Sequence, residues 1–303
     1  MNALQRRMKC RSNAQLHLMI LPAFILTALF YYWPMLGVAI AFQKFKPVNG
    51  LFGSEWVGLG NFAYVFQLPN FGQVLWNTIL IACMKIVCSL IIPIAVALLL
   101  NEVRRERFKR SVQTFIYLPH FLSWIILGGI LLDILSPSTG VVNKLLSVFG
   151  VPPIYFLGDN GWFRIVVVGS DQWKEFGFNT IVYLAALTGI NPTLYEAAVV
   201  DGASRWKQTW HVTLPGMAPI IVLMATLSLG QILNAGFEQV FNLYNPSVYK
   251  TGDIIDTFIY RVGIEEGQYS IATAIGLFRS AISLLFISAA YWLAYRLVNY
   301  RIF

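Results

Sequence analysis

The sequence predicts an all-α polytopic membrane protein with six transmembrane helices and both termini in the cytoplasm. Three observations lead to this fold class. Hydrophobic residues make up 57% of the 303-residue chain and charged residues only 12%, about half the charged fraction of a soluble domain. The apolar residues form runs long enough to cross a bilayer. The basic residues cluster in alternate loops, as the positive-inside rule requires.

Six apolar stretches each provide the roughly 20 residues that a transmembrane helix needs. The first is too long for the apolar region of a cleaved signal peptide, and no small-x-small cleavage site follows it. We therefore expect it to remain as the first span. The six predicted spans are Leu16–Phe42, Val74–Leu100, Thr114–Leu135, Trp162–Thr188, Pro219–Phe237 and Ser270–Val298.

Charges in the connecting loops fix the predicted orientation. The N-terminus, the loops after the second and fourth spans and the C-terminus are basic, whereas the loop at residues 238–269 is acidic. We expect residues 1–15 to form a basic cytoplasmic N-terminus and residues 16–303 a single transmembrane domain. We therefore interpret the net charge of +8 as a consequence of membrane topology and not as a sign of nucleic-acid binding. The basic side chains are Arg6, Arg7, Lys9 and Arg11, Arg104, Arg105, Arg107, Lys109 and Arg110, Arg205 and Lys207, and Arg296 and Arg301.

Chemistry-bearing motifs are scarce. The chain has no G-x-x-x-x-G-K-[ST] phosphate loop, so we do not expect it to hydrolyse ATP itself. It also has no Ser/His/Asp cluster and no H-E-x-x-H pattern, which disfavours a membrane enzyme. Cys10, Cys83 and Cys88 do not predict a disulfide framework or a metal site.

For the lone His120 we expect a structural role. A gated channel that conducts without ATP remains an alternative.

The loop between the fourth and fifth spans contains helix signals. Gly189 is a natural C-cap for the fourth span, and Asn191-Pro192 starts a new helix. Thr193 and Glu196 have the spacing of a capping box, which predicts a short helix over Leu194–Asp201. Gly202 permits a bend, and we expect a second short helix at about Ser204–Val212.

One pattern in this loop is highly specific. Glu196-Ala197-Ala198 is followed after three residues by Gly202, and after nine more by Val212-x-Leu214-Pro215. This resembles the EAA loop of ABC importer permeases, with Val212 in place of the usual Ile. The resemblance implies that residues 190–215 couple the membrane domain to an ATPase subunit. It further implies that Glu196 makes an ionic contact, that Ala197 and Ala198 allow close packing, and that Gly202 sets the angle. The coupling set is Glu196, Ala197, Ala198, Asp201, Gly202, Leu214 and Pro215.

The resemblance extends along nearly the whole chain. Tyr32-Trp33-Pro34-Met35, Gly53-Ser54-x-Trp56-Val57-Gly58 and Asn61-Phe62 are similar to the N-terminal pattern of polysaccharide-type permeases, the LplB-like branch of the maltose-type importers. This implies a type I ABC importer permease fold and uptake of oligosaccharides, including uronate-containing ones such as alginate or rhamnogalacturonan fragments. Another sugar or a glycerol phosphate ester is the alternative substrate.

The partners also follow from the resemblance. It implies a heterodimer with a second, homologous permease in the bacterial cytoplasmic membrane. Two ATPase subunits, which bind ATP and Mg, and an extracytoplasmic solute-binding protein complete the importer. We expect no cofactor or metal in this chain itself.

Polar residues inside the spans are candidates for the substrate path. Asp171, Lys174, Glu175 and Phe178 are spaced as one face of the fourth span, and Trp173 flanks them. Charges and amides hydrogen-bond sugar hydroxyls, and aromatic rings cover the faces of pyranose rings. The alternative is an internal ion pair, either Asp171 with Lys174 or Lys174 with Glu175.

Two further spans add candidates. Gln231, Asn234 and Glu238 would share one face of the fifth span. Arg279, inside the sixth span, either binds an anionic group or pairs with Glu175 or Glu238. Lys174 and Arg279 together would favour an acidic sugar. The candidate path is Asp171, Trp173, Lys174, Glu175, Phe178, Gln231, Asn234 and Arg279.

Overall fold

A computed structural model of the chain describes residues 17–298. The predictions for the basic N-terminus, including Cys10, and for Arg301 lie outside the described residues. The described part is mainly helical. Its helices are α1 His17–Phe42, α2 Gly60–Gln67, α3 Phe71–Glu102, α4 Glu106–Tyr117, α5 Trp124–Ile134, α6 Val141–Val148, α7 Phe163–Thr188, α8 Pro192–Val200, α9 Arg205–Leu229, α10 Phe237–Leu243, α11 Ile255–Tyr260 and α12 Tyr269–Val298.

Several shorter elements connect these helices. Single turns lie at Gly50–Gly53, Leu118–Phe121, Pro246–Val248 and Tyr249–Gly252, and a π-helical turn at Arg261–Glu265 follows α11. Within residues 17–298 the strands are β1, Gln43–Lys44, and β2, Glu55–Trp56, which pair antiparallel.

The chain forms two compact units. The first comprises the chain up to Gln67 together with Val262–Leu277. Its helix α1 buries none of its most apolar 18-residue window within the chain. The β1–β2 pair follows α1, and Phe42 stacks on Trp56 with ring centroids 5.6 Å apart. This unit presents a long apolar helix whose side chains are exposed in the described chain.

The second unit, Leu68–Arg261 with the chain from Phe278 onward, is built on α3 and α7, its most extensive helix pair. Two apolar clusters hold it together. Burying a large aliphatic or aromatic side chain contributes about 1.5–3 kcal/mol. One cluster includes Ile81, Phe163, Val167, Val240 and Ile254, and the other Ala97, Tyr183, Leu187 and Met217.

Within residues 17–298, four helices are long and apolar enough to cross a membrane: α1, α3, α9 and the Tyr269–Trp292 part of α12. A fifth span is present if Glu106–Phe121 and α5 count as one. Helix α7 has 26 residues, which is sufficient length. It carries Arg164, Asp171, Lys174 and Glu175, which is why its apolar character is lower.

The predicted third span, Thr114–Leu135, is not a single straight helix. Helices α4 and α5 meet at an angle of 103° around the turn Leu118–Phe121. Pro119 cannot continue an α-helix ladder, and Ser123 starts α5 as an N-cap by accepting the Ile126 N–H. Helix α4 packs against α7 so closely that a Cβ on Gly177 would lie 2.0 Å from the Ile116 carbonyl oxygen.

The predicted fifth span is also wrong at both ends. Helix α9 begins at Arg205 and runs through a π-helical turn at Thr209–Thr213 to Leu229. The expected separate helix at Ser204–Val212 is therefore its first part. Residues 230–236 are not helical, and Gly236 has φ +92°, a conformation that side chains resist. Consequently Gln231 and Asn234 do not share a helix face with Glu238, which lies in α10.

Candidate functional site

The segment between α7 and α9 has a tightly specified backbone. The Asn191 side chain accepts the Thr193 N–H at 3.0 Å and starts α8, with Pro192 in its first turn. The predicted capping box is wrong, because Asn191 is the N-cap and the Glu196 side chain is exposed. The carboxylate of Glu196 is thereby left to contact other molecules.

Gly202 ends α8 with a defined pair of hydrogen bonds. Its N–H donates to the Val199 carbonyl at 3.0 Å, and the Ala203 N–H donates to the Ala198 carbonyl at 2.8 Å. These are the two bonds of a Schellman motif, which needs a left-handed residue, and Gly202 has φ +74°. A side chain would strain this conformation by about 1–2 kcal/mol. The glycine of the EAA pattern is therefore the C′ residue of the helix that carries the glutamate.

Three contacts then order the connection from α8 to α9, and the last of them joins the two helices directly. Ser204 caps α9 by accepting the Lys207 N–H at 3.4 Å. The buried Gln208 amide donates to the Ala203 carbonyl at 2.9 Å. The Tyr195 hydroxyl lies 3.0 Å from the Thr213 hydroxyl. The members of the predicted coupling set lie on this hairpin and the start of α9. Glu196, Ala197, Asp201, Gly202 and Pro215 are exposed, and Ala198 and Leu214 are half-buried.

A cavity of about 970 Å³, which we call the α8 groove, lies between α8, the last turns of α3 and the first turns of α9. It combines exposed apolar side chains with two carboxylates, Glu102 and Glu196, and with Arg205, whose guanidinium lies 3.5 Å from Glu102. Apolar surface with a free carboxylate suits a protein partner. The lining is Ala95, Leu98, Leu99, Asn101, Glu102, Tyr195, Glu196, Val199, Arg205, Trp206, Gln208, Thr209 and Thr213.

A second cavity of about 330 Å³, which we call the polar pocket, lies between α3, α7 and the non-helical segment after α9. Three predicted path residues meet there: Asp171, Gln231 and Asn234. The Asn234 side-chain amide donates to Gln231 Oε1 at 3.3 Å. The lining is Ala82, Lys85, Ile86, Ser89, Asp171, Leu227, Ser228, Gln231 and Asn234. Hydroxyl, amide and carboxylate groups around a small cavity suit a hydroxylated ligand.

Lys85, which sequence reasoning missed, organises this pocket. Its ammonium group lies 2.9 Å from Asp171 Oδ1 and donates to the Ala235 carbonyl at 2.8 Å and to Gln239 Oε1 at 2.5 Å. The Gln239 amide in turn donates to the Val167 carbonyl at 2.7 Å. All three ammonium protons have acceptors. The available signal was that Lys85 is the only charged residue between Phe71 and Asn101, and such isolated charges are usually functional.

Lys174 and Glu175 contact the bend between α4 and α5 and do not line the polar pocket. The Lys174 ammonium donates to the His120 and Leu122 carbonyls at 2.6 and 2.9 Å and lies 3.6 Å from Glu175. Of the two predicted ion pairs, Lys174 with Glu175 is present, whereas Asp171 pairs with Lys85. The other Glu175 oxygen lies 2.8 Å from His120 Nδ1. The Lys174 ammonium group thus satisfies carbonyls that the helix break leaves free.

The aromatic candidates remain accessible. Phe178 stacks on the His120 ring, with centroids 4.1 Å apart, and keeps 42% of its surface exposed. Trp173 is 43% exposed. Their rings can cover an apolar face of a ligand. Among residues 17–298, no group of three His, Cys, Asp or Glu side chains is placed to hold a metal ion.

Arg279 has a partner that the sequence did not indicate. Its guanidinium donates to Asp256 Oδ1 at 2.5 Å and to the Leu233 carbonyl at 3.0 Å. The predicted pairing with Glu175 or Glu238 is wrong, because α11 brings Asp256 closer. Burial raises the pKa of the Asp256 carboxyl, and the Arg279 charge partly offsets that effect. Arg279 thus fastens the non-helical segment beside the pocket.

Comparisons with known proteins now define the family. A model of the "binding-protein-dependent transport system inner membrane component" family matches residues 89–299. The polygalacturonan/rhamnogalacturonan transport system permease protein YteP of Bacillus subtilis is 44% identical, over 92% of this chain and 87% of its own length. Protein LplB of Bacillus subtilis is 42% identical over 92% and 88%.

A solved structure agrees with these relatives. A chain from a bacterial ABC transporter involved in the import of the acidic polysaccharide alginate superposes with a TM-score of 0.90 at 39% identity, covering 97% of this chain and 99% of its own. A structure of bacterial alginate ABC transporter with alginate pentasaccharide-bound periplasmic protein gives a TM-score of 0.88 at the same identity, covering 96% and 97%. The chain therefore belongs to the family of inner membrane components of binding-protein-dependent transport systems.

Proposed function

We propose that this chain is the permease subunit of an ATP-driven importer and forms half of the path for oligosaccharides from an acidic polysaccharide. The observation that carries this proposal is the similarity, over nearly the full length of both chains, to the alginate-transporter chain. The relative YteP supports the same substrate class, because it is named for the transport of polygalacturonan and rhamnogalacturonan. The chain itself catalyses no reaction, and its partners hydrolyse ATP.

We propose six spans with both termini in the cytoplasm of a bacterial cell. The helices α1, α3, α7, α9 and α12 and the bent pair α4–α5 supply these six. Two features support counting α7. Its Asp171 pairs with Lys85 on α3, and its Lys174 binds carbonyls of the bend. Charges within a bilayer are tolerated when they are matched inside the protein.

The α8 groove is the proposed docking surface for one of two ATPase subunits, which bind ATP and Mg. Glu196 is exposed on a short helix whose two ends are capped, so the backbone that carries the carboxylate has a defined conformation. Closure of an ATPase dimer then moves α8 as a rigid body together with α9. A second, homologous permease completes the path, and a solute-binding protein delivers the sugar outside the cell.

The polar pocket is the proposed sugar site of this subunit. Asp171, Gln231 and Asn234 accept or donate hydrogen bonds to hydroxyl groups, and Trp173 and Phe178 offer aromatic faces along the same helix α7. Lys174 and Arg279 affect the site indirectly, because they bind backbone carbonyls near it. Glu175 pairs with Lys174. In this arrangement the substrate meets a site whose shape depends on the non-helical segment 230–236.

A pull-down and an uptake assay test the proposal. The tagged chain, extracted from its native membrane in a gentle detergent, is expected to bring down a second permease and an ATPase. Cells that depend on the importer are expected to take up oligogalacturonate or oligoalginate. Recovery of the chain alone from intact complexes would favour a channel. A full complex that imports only glycerol phosphate esters or unrelated sugars would support the alternative substrate.

A further inference from the structure

The charge of the polar pocket depends on one ion pair. Among the residues that line it, only Lys85 and Asp171 carry charge. Their side chains are 11% and 20% exposed, and the charged groups are 2.9 Å apart. The carboxylate is thus the more accessible member. Because the two charges cancel at this distance, the lining presents no net charge to a ligand.

The arrangement keeps the ammonium group beside Asp171. The Ala235 carbonyl and Gln239 Oε1 hold Lys85 from the other side. Gly236 leaves room for it, since a Cβ there would lie 2.9 Å from the Lys85 Nζ. Gln239 is fully buried and is fixed by the Val167 carbonyl and the Ser170 hydroxyl. Lys85 therefore does not need a ligand to complete its hydrogen bonds.

Accordingly, we propose that Lys85 is a specificity-determining residue that neutralises Asp171 so that the polar pocket admits an acidic oligosaccharide. This inference rests on the proposed function. Asp171 remains available as an acceptor for sugar hydroxyls. Without Lys85, its full charge would repel a uronate carboxylate in the pocket. Repulsion between two unit charges several ångströms apart, at an effective dielectric constant of about 20, corresponds to on the order of a tenfold loss of binding or more.

The test measures how substrate preference follows pocket charge. The complete importer is reconstituted in proteoliposomes with one binding protein throughout. Uptake of an oligogalacturonate is divided by uptake of a neutral galacto-oligosaccharide of the same length. Lys85→Met, which makes the pocket negative, is expected to lower this ratio by about tenfold. Asp171→Asn, which makes it positive, is expected to raise the ratio. The double variant is neutral again and is expected to return to the original ratio.

Two controls keep the test decisive. Lys144→Met removes an exposed lysine of α6 that does not line the polar pocket and is expected to leave the ratio unchanged. Membrane levels and ATPase recovery are measured for every variant. If Lys85→Met does not insert into the membrane, Asp171→Asn still tests the proposal. In that variant the Lys85 ammonium group keeps two hydrogen-bond acceptors, the Ala235 carbonyl and Gln239 Oε1.

The outcomes separate the two proposals. Equal effects on both sugars in the single variants, or a double variant that keeps the ratio of Lys85→Met, would overturn the role of Lys85. If the unaltered complex imports neither sugar, the proposed function fails, and this inference fails with it.

Discussion

The α8 groove and the polar pocket hold their polar groups in opposite ways. In the α8 groove, caps fix the backbone, and the Glu196 side chain is exposed. In the polar pocket, the side chains of Lys85, Asp171 and Gln239 hold one another, and the backbone of residues 230–236 leaves the helix. A surface that receives a partner keeps a charge available. A pocket among apolar helices has to satisfy its charges internally.

Reversing the exposed charge in the α8 groove should have the largest effect. We expect Glu196→Lys to reduce uptake to background while the chain stays in the membrane, since it replaces the proposed ionic contact with repulsion. Uptake, membrane level and co-purified ATPase are measured together. Glu265→Lys, an exposed charge reversal outside the groove, is the matched control. Normal uptake by Glu196→Lys would remove the docking role.

Removing a charge that is paired inside the protein, such as that of Lys174, should lower the stability of the fold. Lys174→Met deletes the donor to the His120 and Leu122 carbonyls and leaves Glu175 without its cation. We expect a loss of about 3 kcal/mol in the free energy of unfolding, read as a lower Tm in detergent. The exposed Lys207→Met should leave Tm unchanged. An unaltered Tm in Lys174→Met would show that the bend does not depend on this lysine.

The Schellman motif of α8 offers a smaller, graded change. Gly202→Ala places a Cβ on a residue with φ +74°, at a cost of about 1–2 kcal/mol. Space is not the problem, because nothing lies within 4 Å of the added Cβ. We expect a severalfold fall in ATPase co-purification. Gly189→Ala, at φ −83°, is the control and should bind normally. Equal ATPase co-purification with both variants would contradict the proposed importance of the Schellman motif at Gly202.

The smallest expected effect distinguishes two possible caps of α8. Asn191→Ala removes the acceptor of the Thr193 N–H and should cost about 1 kcal/mol. Thr193→Ala removes the hydroxyl of the capping box that the sequence suggested and should be nearly neutral. The Tm of each variant in detergent is the measurement. A larger fall in Tm for Thr193→Ala than for Asn191→Ala would instead support the capping box predicted from the sequence.

Sequence reasoning succeeded where a residue pattern is local. The EAA pattern, the helix start at Pro192 and the special role of Gly202 depend on neighbours along the chain, so spacing alone predicts them. The family and the polysaccharide substrate class of the relatives were also anticipated. The roles of the coupling and path residues in transport stay predictions.

Sequence reasoning failed where tertiary contacts decide. Hydropathy treats Pro219–Phe237 as one apolar run, yet the helix ends at Leu229. Lys85 and Arg279 bind the carbonyls of Ala235 and Leu233 in the non-helical segment that follows. These donors lie on other helices and are invisible to a local pattern. The bend at Pro119 could be predicted, since proline interrupts a helix, but the contacts of Lys174 with the carbonyls of the bend could not.

The Lys85 contacts also constrain how the chain is made. Ala235 and Gln239 follow Lys85 by 150 and 154 residues, which a ribosome adds in roughly 10–30 s. Asp171, its ionic partner on α7, is made earlier than these two residues. Until Asp171 arrives, α3 lies in the bilayer with an unmatched ammonium group, whose insertion costs about 2.5–3.5 kcal/mol near a helix centre. The mean hydropathy of α3, 2.6, is the highest among the four apolar helices of the described chain. Its surplus of leucine and isoleucine offsets the charge until the later helices arrive.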